Sequence, residues 1–188
     1  MVKTPEQQAR ETIDASLAAA GWVVQDARAA NPYAAKGVAL REFPLERGHG
    51  TADYILYIDG KAAGVVEAKK AGSTLTGVET QTGKYSTGLP ARLPRAFDPL
   101  PFLYESTGFE TRFTNLLDPE PRSRYVFSFH SPRELAEQLA AEPFNGRPAS
   151  LRARLQAMPE IDSHGFWDVQ RRAISVGGIT RTPRSTSG

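Results

Sequence analysis

Two apolar runs meet across Asp59-Gly60, and no other feature constrains the fold of this chain as tightly. Tyr54-Ile55-Leu56-Tyr57-Ile58 precedes the dipeptide and Ala62-Ala63-Gly64-Val65-Val66 follows it. β-Branched and aromatic residues suit a pleated strand, and Asp-Gly tolerates the positive φ angles of a tight hairpin turn. The register of that hairpin decides which flanking residues face each other. A strict two-residue loop at 59 and 60 sets position 53 opposite 66. A three-residue loop over 59–61 sets 53 opposite 67, and a bulge also returns Asp53 and Glu67 to a common face.

The register matters because of what lies at the open end. Asp53 precedes the first strand, and Glu67-Ala68-Lys69 closes the second. Glu67 and Lys69 share a face because side chains alternate along a strand. If Asp53 faces Glu67, two carboxylates and a lysine converge at one end of a sheet. The backbone carbonyl of Ala68 is then a further oxygen donor wherever the strand pairing stops. Such a set suits a divalent cation beside an ammonium group, which is the equipment of phosphodiester hydrolysis. The expected separation of the Asp53 and Glu67 carboxylates is about 3–6 Å, close enough to share one ion.

Around the hairpin the chain reads as α–β–β–β–α–β, an α/β protein. Thr4-Pro5-Glu6-Gln7 opens a helix, with Thr4 capping, Pro5 at the first helical position and Gln7 completing a capping box. Ala9, Ile13 and Leu17 form its buried stripe, and Gly21 ends it before Trp22. Val38 to Leu45 reads as a first strand and Arg47-Gly48-His49-Gly50 as a loop. Thr76-Gly77-Val78-Glu79 opens a second helix that carries Gln81 and Tyr85 on one face. Further strands are expected over 102–106, 111–115 and 125–129. Ser131-Pro132-Arg133-Glu134 starts a helix, and more helix is expected over 147–158 and 166–174. The sequence divides into a main domain over 1–145, a helical linker over 146–176 and a Gly/Ser/Thr-rich tail over 177–188.

Composition excludes several chemistries. With no cysteine there are no disulfides, thiolate zinc sites or cysteine nucleophiles, and the three histidines are dispersed. No apolar run is long enough to span a bilayer and the N-terminus has no signal-peptide core, so a cytoplasmic protein without membrane contact is expected. A net charge of +2 does not by itself argue for nucleic acid.

Gly50-Thr51-Ala52-Asp53-Tyr54, Glu67-Ala68-Lys69-Lys70 and Gln81-x-x-x-Tyr85 together resemble the PD-(D/E)XK nuclease signature and its Q-x-x-x-Y element. The flanking segments narrow the likeness. Ala20-Gly21-Trp22, Arg41-Glu42-Phe43-Pro44-Leu45 and the stretch from Leu100 to Gly108 resemble the N-terminal nuclease domain of type I restriction enzyme R (motor) subunits. Phe166-Trp167-Asp168-Val169-Gln170-Arg171-Arg172-Ala173-Ile174 resembles the lead-in to a helicase motor. The likeness covers roughly residues 4 to 176. No Gly-x-x-x-x-Gly-Lys-Ser/Thr phosphate loop follows, so the sequence is expected to stop short of that motor.

The resemblance implies a restriction-endonuclease-like core, a mixed sheet flanked by helices, and cleavage of double-stranded DNA. It implies that Asp53, Glu67 and the Ala68 carbonyl hold Mg²⁺ or Mn²⁺, that Lys69 steadies the attacking water or the charge on the phosphate, and that Gln81, Tyr85 and Glu6 support the site or face DNA. It also implies that specificity and methyltransferase subunits are partners through the full-length subunit, and that ATP binds there and not to this chain. Two alternatives are a non-catalytic DNA-binding or docking module of the same fold and a solitary repair nuclease. The intact Asp53, Glu67 and Lys69 argue against the first, and the motor-like segment against the second.

Overall fold

A computed structural model describes residues 4–75, 88–141, 143, 144, 147, 148, 150–156, 167 and 169. The chain divides into two compact units, 1–156 and 157–188, and nearly everything described belongs to the first. Its centre is a seven-stranded sheet whose strands lie side by side in chain order: β1 (Val23–Asp26), β2 (Gly37–Pro44), β3 (Thr51–Ile58), β4 (Lys61–Ala68), β5 (Phe102–Ser106), β6 (Thr111–Asn115) and β7 (Arg124–Val126). The β1–β2 and β4–β5 pairs are parallel and the others antiparallel. The expected mixed α/β sheet is therefore present.

One face is covered by helix α1 (Pro5–Ala19) and helix α2 (Pro132–Leu139). Ile13, Leu17 and Leu135 pack there with Trp22, Tyr54, Leu56, Val66, Phe102 and Tyr104. The other face gathers Leu40, Ile55, Tyr57, Val65 and Leu103 under Leu89 and Leu100 of the β4–β5 connection. Both helices start as their sequences predict. Thr4 and Ser131 each accept a hydrogen bond from the backbone N–H three residues on, and Gln7 and Glu134 reach back to the cap residues. Ala9, Ile13 and Leu17 are buried. Gly21, at φ +91°, ends α1, and the Trp22 N–H then bonds Leu17 O. The Trp22 indole donates to the His130 carbonyl at 2.9 Å and ties α1 to the entry of α2.

Three sequence expectations need correction. Strand β1 was not foreseen, because Val23-Val24-Gln25-Asp26 is short and follows the helix end directly. The helix expected over 147–158 is described only over Leu151–Gln156, as α3. Arg147–Pro148 instead pairs with Pro143–Phe144 as a two-stranded ribbon, β8 and β9. Proline has no N–H and cannot serve a helix interior, whereas it sits comfortably in a ribbon edge. The third strand expected over 125–129 is displaced to Arg124–Val126. The helix expected after Thr76, with Gln81 and Tyr85, lies outside the described residues, as do the linker segment apart from the positions named above and the tail. Among the described residues, no helix is long and apolar enough to cross a membrane.

Candidate functional site

The hairpin reaches the needed register by a turn and a bulge together. Asp59 and Gly60 form a two-residue loop with φ +48° and +76°, the positive pair that a type I′ turn requires. The pairing starts as Ile58↔Lys61 and Tyr57↔Ala62, then jumps to Leu56↔Gly64. Ala63 is the extra residue. Beyond the bulge Tyr54 pairs with Val66, so continuation of the ladder puts Asp53 opposite Glu67. The three-residue loop, the other device open to the sequence, is not used.

The ladder between β3 and β4 ends there. The Ala68 N–H donates to Asp53 Oδ2 at 3.0 Å, a side chain taking the place of a strand carbonyl. On its other edge β4 continues against β5, with Ala68 beside Ser106, and the Lys69 N–H donates to Ser106 O at 2.8 Å. Lys69 Nζ donates to Glu67 Oε1 at 3.2 Å. The Asp53 and Glu67 side chains are only 20% and 18% exposed. Burial pushes the Asp53 carboxyl above its ordinary range; the Ala68 N–H pulls it back, the Glu67 charge pushes it further up, and Arg10 opposes both. Asp53, Glu67 and Lys69 thus come together at one end of the central strands.

Helix α1 brings two more groups. Glu6 pairs with Lys70 at 3.1 Å, and the two line a cleft of about 410 Å³ with Asp53, Ala68 and Lys69. Glu6 therefore does lean toward the sheet end. Arg10, one helical turn on, spans two carboxylates: Nη2 donates to Asp53 Oδ1 at 3.0 Å and Nη1 to Glu42 Oε1 at 2.7 Å. Arg10 was given no role in the sequence analysis. The spacing of four from Glu6 was the available signal. Arg41 and Glu42 do not pair with each other. Arg41 forks onto Asp26 and also reaches Asp14, which accepts from the Tyr54 hydroxyl. Gln81 and Tyr85 lie outside the described residues.

Comparison with known proteins bears on the same stretch. Residues 16–97 match the family model of the type I restriction enzyme EcoKI endonuclease subunit second domain. Over that stretch the chain is similar to a type I restriction endonuclease subunit. It is 26% identical over 186 aligned positions to the EcoKI endonuclease subunit of Escherichia coli K12, an alignment that covers 73% of this chain and 16% of the relative. It therefore spans a small fraction of that protein's length. A fragment structure assigned to an HsdR subunit of a type I restriction enzyme from Vibrio vulnificus YJ016 superposes with a TM-score of 0.48 at 21% identity, over 73% of this chain and 25% of that one. The matched segment, 16–97, contains β1 to β4 and thus Asp53, Glu67 and Lys69.

Among the described residues, no three His, Cys, Asp or Glu side chains cluster to hold a metal. The donors at the end of β4 are two carboxylates with a backbone carbonyl between them in sequence. All are oxygens, the donor chemistry of hard divalent cations. A cation also answers the mutual repulsion of Asp53 and Glu67. The residues present fit such an ion.

Proposed function

We propose that this chain is the metal-dependent DNA endonuclease module of a type I restriction R subunit, with a PD-(D/E)XK core. One observation carries the reading: the bulge at Ala63 sets Asp53 opposite Glu67, beside Lys69, where the β3–β4 ladder ends. Kinship with endonuclease subunits supports it.

Asp53, Glu67 and the Ala68 carbonyl are the groups that would hold Mg²⁺ or Mn²⁺. A bound divalent ion supplies charge neutralisation at the scissile phosphate and a more acidic water. The rest falls to the protein's own groups. The Ala68 N–H fixes one oxygen of Asp53, so the carboxylate is oriented before any ligand arrives. Glu67 holds the Lys69 ammonium over the same end of the sheet, where its charge stabilises the negative charge that builds on phosphate oxygens. Glu6 and Lys70 line the approach, with Lys70 available to a neighbouring phosphate. The substrate class is double-stranded DNA. The specificity and methyltransferase subunits, and ATP-driven translocation, belong to the full-length assembly, and the working compartment is the cytoplasm.

The test is a supercoiled-plasmid assay with Mg²⁺, run on the full-length subunit in its assembly. Glu67→Ala should abolish cutting and leave ATP hydrolysis unchanged, since no ATP-binding motif lies in this chain. Cutting at the wild-type rate in that variant would place the active site elsewhere.

A further inference from the structure

Both oxygens of Asp53 are already engaged. Oδ2 accepts from the Ala68 N–H, and Oδ1 accepts from Arg10 at 3.0 Å. The guanidinium has a second anchor in Glu42, and that residue is unusual. It lies inside β2, between the pairs Arg41↔Tyr54 and Phe43↔Ala52, directly across from Asp53 and itself unpaired. Its φ is +53°, a left-handed conformation that strains a non-glycine residue. The strained position delivers a carboxylate to Arg10 at 2.7 Å. Arg10 and Asp53 both line the 410 Å³ cleft with Lys69 and the wider one of about 800 Å³ between α1 and β2.

We infer that Arg10 is a positioning residue that competes with a divalent cation for Asp53, and that Glu42 sets the strength of the competition. This rests on the reading of Asp53 and Glu67 as the cation site. The guanidinium has two stations. Asp53, at 20% exposure, is the buried one and Glu42, at 61%, the solvated one. A cation arriving at Asp53 displaces Nη2 or shares Oδ1 with it, and either way meets a fixed positive charge. Glu42 lowers that barrier, because it retains the guanidinium when Asp53 gives it up. Arg10 thus keeps the carboxylate oriented in the absence of metal and makes metal binding weaker than the bare donor set would give.

Calorimetric titration of this chain with MnCl₂ tests the inference without any cleavage readout. Arg10→Gln should bind Mn²⁺ about tenfold more tightly than wild type, a change of the size one nearby charge produces. Glu42→Gln should shift affinity the opposite way, several-fold weaker, because Arg10 is then left to Asp53 alone. Arg10→Lys, which keeps a cation at Asp53, should stay within about twofold of wild type. Asp53→Asn should remove the binding heat and so identify the site. A residue that merely braced the fold would weaken binding in all variants alike. Unchanged or weaker Mn²⁺ binding in Arg10→Gln, with Asp53→Asn silent, overturns the role of Arg10 and leaves the cation site standing. Should Arg10→Gln fail to fold, tighter binding in Glu42→Gln overturns it and weaker binding supports it. Absence of binding heat from wild type and Arg10→Gln alike overturns the site reading and this inference with it.

Discussion

Gly64 stands where β4 comes closest to β5. A Cβ there would lie 2.5 Å from the Phe102 carbonyl oxygen and 3.0 Å from Phe102 Cβ. A backbone oxygen inside a parallel ladder has no room to yield. Gly64→Ala should therefore cost about 1–3 kcal/mol, read as a lower urea midpoint at unchanged slope. Lys69→Ala makes a different kind of prediction. The ammonium is not a metal ligand, so calorimetry should show Mn²⁺ still binding while plasmid cutting by the full-length assembly is lost. Loss of metal binding in that variant would mean that Lys69 acts by orienting Glu67. At this scale the sequence was informative about groups with a fixed strand position. Asp53, Glu67 and Lys69 could be brought to one sheet end because alternation and hairpin register are short-range rules. The contacts of Arg10 could not be read, because its two partners come from strands distant in sequence. Nothing in Arg41-Glu42-Phe43 signals a left-handed residue within a strand.

Helices α1 and α2 begin with the same device, a Ser or Thr cap, a proline and an acid or amide at the third helical position. Ser131→Ala removes the acceptor for the Glu134 N–H and should cost about 1 kcal/mol in chemical denaturation, without moving Mn²⁺ affinity, because α2 contributes no residue to the proposed cation site. These starts were legible because capping is settled within four residues. The strands over 102–106 and 111–115 were also read at their observed limits, since the turn at Thr107-Gly108 separates them sharply; Gly108 has φ +86° and rests against Thr12 and Ala9 of α1. Where the reading went astray, tertiary pairing decided the outcome. The four residues of β1 become a strand only because β2 offers them a parallel edge, and Arg147–Pro148 takes ribbon geometry because Pro143–Phe144 lies opposite. The hairpin shows an intermediate case. The sequence allowed a longer loop or a bulge, and Asp59-Gly60 suits the two-residue turn so well that the irregularity moved into β4.

For the molecule as a whole, the titratable group to follow is His130, part-buried beside the core and away from the proposed cation site. His130 Nδ1 lies 2.7 Å from the Tyr104 hydroxyl, and the imidazole packs against Phe113 with ring centroids 4.4 Å apart. Burial holds the imidazole below its ordinary value of 6.5, with the charge of Glu134 opposing. A lowered folded-state value means that the unfolded chain takes up the proton first. The neutral ring's contribution is complete above pH 6.5 and is lost as pH falls through the folded value. Urea midpoints at about pH 7.5 and about pH 5.5 should therefore differ more in wild type than in His130→Gln. Equal differences would assign the acid sensitivity to carboxylates alone. The α/β class was evident from the order of elements. The strict side-by-side strand sequence was not, since it depends on which edges remain free after each crossover.

That strand order has a consequence for hydrogen exchange. With seven strands in chain order, β4 is the middle one, three strands from either edge. Its amides are tied on both sides, and at its end the Ala68 and Lys69 amides are still held, one by the Asp53 carboxylate and the other by Ser106. A deuterium-labelling time course should find the last protons to leave in residues 64–69, with the bulge at Ala63 as an early gap, and β7 among the first segments to exchange. The groups proposed to do the chemistry are then carried by the part of the protein that opens last, so partial unfolding of its edges leaves the reactive end assembled.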